Sequence, residues 1–98
     1  MKTLPRPIAF EWDQGNVEKN FLKHHVTNKE AEETFGNKLL KIFPDLKHLD
    51  KEPRFVAYGV TNQDRKLIIV FTLRKEKIRV ISARDQNKKE RRVYEEKT

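Results

Sequence analysis

The chain has 98 residues, of which 36% are hydrophobic and 38% are charged, and its formal net charge is +7. This length suits one domain with a thin core, so we expect a single domain over residues 1–98. The absence of cysteine excludes disulfides and thiolate metal sites. No segment resembles a signal peptide or a membrane span. We therefore expect a cytoplasmic protein that does not associate with membranes, with residues 1–7 as a flexible N-terminus.

The positive charge is concentrated in the second half of the chain. Residues 1–50 carry eight basic and eight acidic side chains, whereas residues 51–98 carry fourteen and seven. Arg6 is the single arginine of the first half, and seven arginines lie in the second. Guanidinium groups bind phosphate and carboxylate through a rigid fork of donors, which indicates a polyanionic partner, either a nucleic acid or an acidic protein. A solvated surface that keeps a small protein soluble explains the same composition.

The first elements combine an aromatic strand with a short helix. Residues 8–12 are apolar and aromatic and predict a strand, with Phe10 and Trp12 directed into the core. Residues 15–24 have helical periodicity, with one apolar side. That side consists of Val17, Phe21 and Leu22.

A second helix has a clearer beginning. Thr27 and Glu30 have the spacing of a capping box, in which each side chain accepts a hydrogen bond from the backbone amide of the other. Gly36 is suited to the left-handed residue that ends a helix. Residues 39–43 then predict a strand that Pro44 stops.

The second half predicts three strands and a last helix. Strands are expected over residues 54–60, 66–74 and 77–84, and their connections are too short for helical crossovers, so they form antiparallel hairpins. Residues 87–96 are charged and predict a helix, which Tyr94 docks to the core. The predicted class is α+β, in the order β-α-α-β-β-β-β-α, with the helices on one face of an antiparallel sheet.

Several short motifs occur in a characteristic order from Phe10 to Glu95. They are Phe10-Glu11-Trp12-Asp13, Asn20-x-x-Lys23-His24, Arg54-Phe55-x-Ala57-x-Gly59, Ile78-Arg79-Val80-Ile81-Ser82-Ala83-Arg84 and Glu90-Arg91-Arg92-x-Tyr94-Glu95. Together they resemble the BrnT family of toxins from type II toxin–antitoxin systems. The chain departs from the family pattern at His25, where glycine is usual, and at Asn16, where lysine is common. The acidic pair that the family has after Phe35 is also missing.

This resemblance implies a fold akin to the RelE-type ribonucleases and a toxin that cleaves RNA and blocks translation. It implies a BrnA-type antitoxin as the protein partner, which would carry the DNA-binding region, so contact with DNA would be indirect. It implies no cofactor. The alternative is a basic module that binds RNA or protein without catalysis, and the arginine content fits both equally.

RNA cleavage without a metal needs a base for the 2′-hydroxyl, cations around the phosphorane-like transition state and an acid for the leaving oxygen. His24, at a helix end, is the candidate acid or base, although a histidine there often only complements the helix dipole. The three histidines lack the spacing of metal ligands, so no metal site is expected. The catalytic candidates implied here are His24, Arg54, Arg79 and Arg84.

The two arginines of the last strand pose a geometric problem. Arg79 and Arg84 are five residues apart, so a regular strand directs them to opposite faces. They share a site only if a bulge intervenes or if the strand ends by about Ala83. Arg79 alternatively pairs with a carboxylate such as Glu76, and Ser82 is placed to hold Arg84.

Further basic residues are candidates for contact with the RNA backbone. They are Lys23, Arg74, Lys88, Arg91 and Arg92. An exposed helix with mixed charges accounts equally well for the last three. Glu52 is a possible base, and His25 and His48 are weaker candidates than His24.

Overall fold

A computed structural model describes Leu4, residues 8–45 and residues 52–96 of the chain. Its elements are α1 (Lys19–His24), α2 (Asn28–Gly36), β1 (Lys41–Pro44), β2 (Arg54–Val60), β3 (Lys66–Arg74), β4 (Lys77–Asp85) and α3 (Lys88–Glu96). The helices and the antiparallel sheet confirm the α+β class. Apart from Leu4, residues 1–7 lie outside the described residues, and so does His48, so the predictions for these positions stay predictions.

The four strands pair in chain order, and each is antiparallel to the next. The predicted hairpins are therefore confirmed, and β4 extends one residue beyond its predicted end. A two-residue turn, Lys75-Glu76, joins β3 to β4 with φ angles of 50° and 64°. Left-handed angles match the twist of such hairpins, but Asn and Gly adopt them far more easily than Lys or Glu. This turn consequently stores conformational strain.

One face of the sheet carries the hydrophobic core. Leu67, Ile69 and Phe71 alternate along β3 and are almost completely buried. They pack in one cluster with Val26, which precedes α2, and with Phe35 of α2. The rings of Phe35 and Phe71 meet edge to face, with their centroids 5.0 Å apart. The alternation that predicted the strands thus identifies the core face.

Helix α2 begins as predicted but ends differently. The Thr27 hydroxyl accepts from the Glu30 amide at 3.0 Å, and the Glu30 carboxylate accepts from the Thr27 amide at 2.9 Å, which confirms the capping box. The prediction that Gly36 is left-handed is wrong, because Gly36 is the last helical residue and no glycine has a positive φ. The chain instead leaves the helix through Asn37 in an extended conformation.

The prediction that every helix packs on one face of the sheet is wrong for α3. Gly59 faces α2, since a Cβ on Gly59 would lie 2.6 Å from Thr34 Cγ2. Its neighbour Tyr58 therefore points to the opposite face, where its ring stacks on Tyr94 of α3 with a centroid distance of 6.3 Å. The Tyr94 hydroxyl donates to the Leu39 carbonyl at 2.6 Å. Tyr94 docks its helix, as predicted, but against this second face.

The strand predicted over residues 8–12 is reduced to one parallel bridge between Phe10 and Ile78. The Ile78 amide donates to the Ala9 carbonyl, and the Glu11 amide donates to the Ile78 carbonyl, both at 2.8 Å. The segment cannot continue as a strand because a turn begins at Asp13, whose carbonyl accepts from the Val17 amide at 2.7 Å.

Helix α1 starts later than predicted, after a turn over residues 14–18. The turn and the helix both pack against β4 through asparagine side chains, Asn16 in the turn and Asn20 in the helix, and not through their apolar side. Asn16 Nδ2 donates to the Val80 carbonyl at 3.1 Å, and Asn20 Oδ1 accepts from the Ala83 amide at 2.9 Å. These bonds satisfy backbone groups along the outer edge of β4. The apolar side chains face outward and are exposed; they are Val17, Phe21 and Leu22.

Candidate functional site

A β-bulge resolves the geometric problem posed by the two arginines of β4. Val70 pairs with Ser82 and Phe71 pairs with Val80, which leaves Ile81 as an additional residue in β4. The extra residue shifts the alternation, so Arg79 and Arg84 project from the same face. The bulge that Arg79 and Arg84 need in order to share one face is therefore present.

The register across the strands adds two more arginines to this face. Arg54 lies opposite Thr72, and Thr72 lies opposite Arg79, so the three side chains share one side of the sheet. Arg74 is two residues beyond Thr72 and projects from the same side. We call this surface the arginine face; it contains Arg54, Arg74, Arg79 and Arg84 and lies opposite the core.

Arg79 is more enclosed than Arg74 or Arg84, since its side chain is 15% exposed and theirs are 44% and 40% exposed. It donates to Asp13 at 2.8 and 3.0 Å and to Glu11 at 3.0 Å. The hydrogen bond to Asp13 raises the pKa of Arg79 and lowers that of Asp13. Gly15 allows this approach, because a Cβ there would lie 2.9 Å from Arg79 Nη2. The partners come from the N-terminal segment and not from Glu76, which the sequence had suggested.

Arg74 extends the same ionic network. It donates to Glu52 at 2.7 and 2.8 Å, and a more distant contact of 3.7 Å joins it to Glu11. The bond from Arg74 lowers the pKa of Glu52, so this carboxylate is ionised at neutral pH. Glu11 therefore contacts both Arg74 and Arg79.

Arg84 occupies the other end of the arginine face, below α3. It forms two parallel hydrogen bonds with the Glu90 carboxylate, at 2.7 and 2.8 Å, and a third with the Asp85 carbonyl. The first two raise the pKa of Arg84 and lower that of Glu90. Glu90, and not Ser82, thus holds this guanidinium in place.

Arg54 differs from the other three arginines. Its side chain is half-buried, and it forms no ion pair with any residue in the described part of the chain. Its charge still contributes to the lowered pKa of Glu52, so the two groups are near each other. Arg54 is therefore the arginine of this face that has no carboxylate partner within the described part of the chain.

The structure does not bring His24 to Arg54 and Arg79. The His24 carbonyl accepts from Arg65, and its ring lies near enough to Asp85 to act on the pKa of that carboxyl. Asp85 ends β4, six residues beyond Arg79, which is on the order of 15–20 Å along a strand. Lys23 is exposed on α1, beside the edge of the sheet.

The remaining predicted RNA contacts lie on α3. Lys88, Arg91 and Arg92 are exposed, and Arg91 also donates to the Gln86 carbonyl at 2.9 Å. They lie on the helix that covers Arg84, so they extend the positive charge beyond that end of the arginine face.

Sequence reasoning missed Arg65 and the acidic partners of Arg79. Arg65 bonds Glu30, Asp85 and the carbonyls of His24 and His25, and thereby joins both N-terminal helices to the sheet. The Asp85 bond raises the pKa of Arg65. No signal in the sequence marks this role. The alternation of Glu11 and Asp13, by contrast, could have indicated a paired acidic face beside the last strand.

Among the residues that the structure describes, no three His, Asp or Glu side chains are grouped as metal ligands. None of the described helices has the length and apolar character required to cross a membrane.

A small α+β domain with four arginines on one sheet face has the residue types with which proteins bind polyanions. The family comparison is more specific. Residues 12–90 match the family described as "Ribonuclease toxin, BrnT, of type II toxin-antitoxin system". The chain belongs to this family of ribonuclease toxins, which act with an antitoxin partner. No curated protein matches the chain at a significant level.

Proposed function

We propose that this chain is an endoribonuclease toxin of the cytoplasm that cleaves RNA without a metal ion, blocks translation and is neutralised by a BrnA-type antitoxin. Membership of the BrnT family supports the toxin and ribonuclease assignments. We further propose that the fold is related to that of the RelE-type ribonucleases. The observation that carries the proposal is the bulge at Ile81, because it places Arg79 and Arg84 on the same face as Arg54.

The arginine face would hold the scissile phosphate. Arg54 forms no ion pair with any residue that the structure describes, and we propose that its donors bind a phosphate oxygen. Arg79 is already oriented by Asp13 and Glu11 and would stabilise the charge that develops on the phosphorane. Arg84 would bind a neighbouring part of the RNA backbone. The acidic partners reduce the net charge of the face, so RNA must compete with them.

Three side chains are candidates for proton transfer: one histidine and two carboxylates. His24 has the appropriate chemistry, but it lies near Asp85 and away from Arg54 and Arg79. Glu11 and Glu52 contact the arginines directly. The bond from Arg74 lowers the pKa of Glu52, which keeps this carboxylate ionised but also makes it a weaker base. We propose that a carboxylate at the arginine face accepts the proton of the 2′-hydroxyl as the 2′-oxygen attacks phosphorus, and that water protonates the 5′-oxygen as the P–O5′ bond breaks. His24→Ala, Glu11→Gln and Glu52→Gln variants distinguish these possibilities by which one stops cleavage.

The remaining cations would guide the RNA. Arg74 lies on the arginine face, and Lys88, Arg91 and Arg92 extend the charge over α3. Lys23 lies further away, at the edge of β4. Contacts of this kind weaken with salt, since binding releases counterions from the RNA. Removing one of these cations should therefore reduce the salt dependence of RNA binding without changing where the RNA is cut.

The alternative is a basic module without catalysis. It is favoured by the fact that Arg79 and Arg84 are each bound by carboxylates of this chain, as purely structural arginines are. The two functions make different predictions for RNA in the cell. An enzyme produces new RNA ends when it is expressed alone, whereas a binding module leaves the RNA intact.

The test is induced expression with and without the antitoxin, followed by mapping of RNA ends and by cleavage assays with purified protein in EDTA. We expect Arg54→Ala to lower cleavage by about 10²- to 10³-fold. Lys38→Ala is the matched control, because Lys38 is exposed and lies after α2, outside the arginine face. Full toxicity of both Arg54→Ala and Arg79→Ala proteins would overturn the site assignment. Loss of cleavage in EDTA would overturn metal independence.

A further inference from the structure

Helix α1 has the reverse of the usual amphipathic arrangement. The inward side of this helix and of the turn that leads into it is formed by Asn16 and Asn20, which are 3% and 4% exposed. Its outward side is formed by three apolar residues, which we call the α1 stripe. These are Val17, Phe21 and Leu22, with 39%, 48% and 78% of their surface exposed.

The α1 stripe lies outside the hydrophobic core. Its three side chains are exposed and are not members of the core cluster. The asparagines already attach the helix to β4 through buried hydrogen bonds, so a polar outer side would serve the isolated domain equally well. Apolar side chains grouped on an exposed surface are typical of protein–protein interfaces.

The surroundings of the stripe define the chemistry of its partner. Phe21 is held by the ring of His25, at a centroid distance of 5.9 Å and in an edge-to-face geometry. Lys19 and Lys23 are exposed on the same short helix, and Glu18 is the acidic residue beside them. An apolar centre with a mainly cationic rim is complementary to apolar side chains flanked by Asp or Glu.

We propose that the α1 stripe is a docking surface for the antitoxin, through an apolar segment with acidic flanks. This proposal depends on the toxin–antitoxin function proposed above. RNA is a poor occupant, because Val17, Phe21 and Leu22 offer no donors to phosphate. A second copy of the chain is also disfavoured, since a two-fold interface would bring Lys19 and Lys23 close to their own equivalents.

The stripe lies along the outer edge of β4 and not on the arginine face. The antitoxin would therefore bind the toxin at a surface separate from the proposed site of RNA cleavage. Consequently, a change in the stripe should weaken neutralisation and leave the ribonuclease reaction unaltered, whereas a change in Arg54 should do the opposite. This separation allows the two proposals to fail independently.

The test measures, by titration calorimetry, the binding of the purified protein to the antitoxin proposed above. We expect Leu22→Asp to raise the Kd by about 100-fold, as for a central interface residue, and Leu22→Met to leave it nearly unchanged. Leu39→Asp is the matched control, because Leu39 is also an exposed leucine, with 51% of its surface accessible, but lies far along the chain from α1. It should bind as the wild type does. Circular dichroism should show all three variants folded, since the changed side chains are exposed.

Three outcomes are informative. Equal affinity of Leu22→Asp, Leu39→Asp and wild-type proteins for the antitoxin would overturn the docking proposal. A wild-type dimer in solution that Leu22→Asp converts to a monomer would also overturn it, because the stripe would then join two copies of the chain. If Leu22→Asp loses antitoxin binding and the wild-type protein cleaves no RNA, the docking surface is supported and the ribonuclease proposal is refuted.

Discussion

Asn16 provides the sharpest test of how α1 is attached to the sheet. Its side-chain amide donates to the carbonyls of Glu11 and Val80 at 3.0 and 3.1 Å, and its oxygen accepts from the Asp13 amide at 2.8 Å. Asn16→Asp keeps the shape and the acceptor but replaces the donor by an oxygen that faces two carbonyls. Leaving two such acceptors unsatisfied costs about 3 kcal/mol in total.

The assay is thermal and urea unfolding followed by circular dichroism. A loss of about 3 kcal/mol corresponds to a decrease in Tm of roughly 10–20 °C for a domain of this size. Gln14→Glu is the matched control, because Gln14 is exposed and makes the same change from amide to acid. If the free energy of unfolding of Asn16→Asp lies within about 0.5 kcal/mol of the wild-type value, the asparagine does not attach the helix as described.

The pH dependence of the same variant provides an internal check. Burial disfavours ionisation, so the pKa of the new carboxyl is expected to rise in the folded state. The protonated acid can donate to one of the carbonyls again. The difference in stability between Asn16→Asp and wild type should therefore shrink as the pH falls from about 7 to about 4. A difference that is constant over this range would contradict the argument.

Three further predictions concern strain and charge. Lys75→Asn with Glu76→Gly should raise the free energy of unfolding by about 1–2 kcal/mol, seen as a higher urea midpoint, because both residues have left-handed angles. His25→Gly should raise the free energy of unfolding by about 0.5–1 kcal/mol, because His25 ends α1 with a left-handed φ of 58° that glycine adopts without strain. An unchanged urea midpoint would refute either of these two predictions. Glu90 has a lowered pKa, so its pair with Arg84 stabilises the fold at neutral pH and is lost as the pH falls below about 4. Arg84→Ala should accordingly lose less stability than the wild type between about pH 6 and pH 3, measured by urea unfolding, and equal losses would contradict the assignment.

The sheet could be predicted from the sequence because its signals are local. Alternation of apolar residues and short connections define β2, β3 and β4 nearly to the residue. The bulge could be named as a possibility but not located, since residues 77–85 carry no glycine or other marker of an extra residue. Its position at Ile81 depends on how β4 registers with β3, which is a property of the folded sheet.

Helix α1 and the ion pairs show what local patterns cannot supply. Periodicity assumes that apolar residues face inward, but α1 packs against the edge of a strand, where backbone donors and acceptors require polar side chains such as Asn16 and Asn20. Arg79 bonds partners 66 and 68 positions away. Nothing near Arg79 in the sequence identifies Asp13 or Glu11 as those partners. The family resemblance marked Arg79 for function without indicating its ionic surroundings.

The way in which the chain closes the outer edge of β4 bears on its resistance to polymerisation. An open strand edge recruits a strand from another molecule and can seed fibrils. Here the backbone of Ile78 is bonded by the segment around Phe10, and that of Val80 and Ala83 by asparagine side chains. A protease cut within residues 13–18, or a tag that pulls the N-terminal segment away, would uncover this edge. Preparations shortened at the N-terminus should therefore be the ones that precipitate.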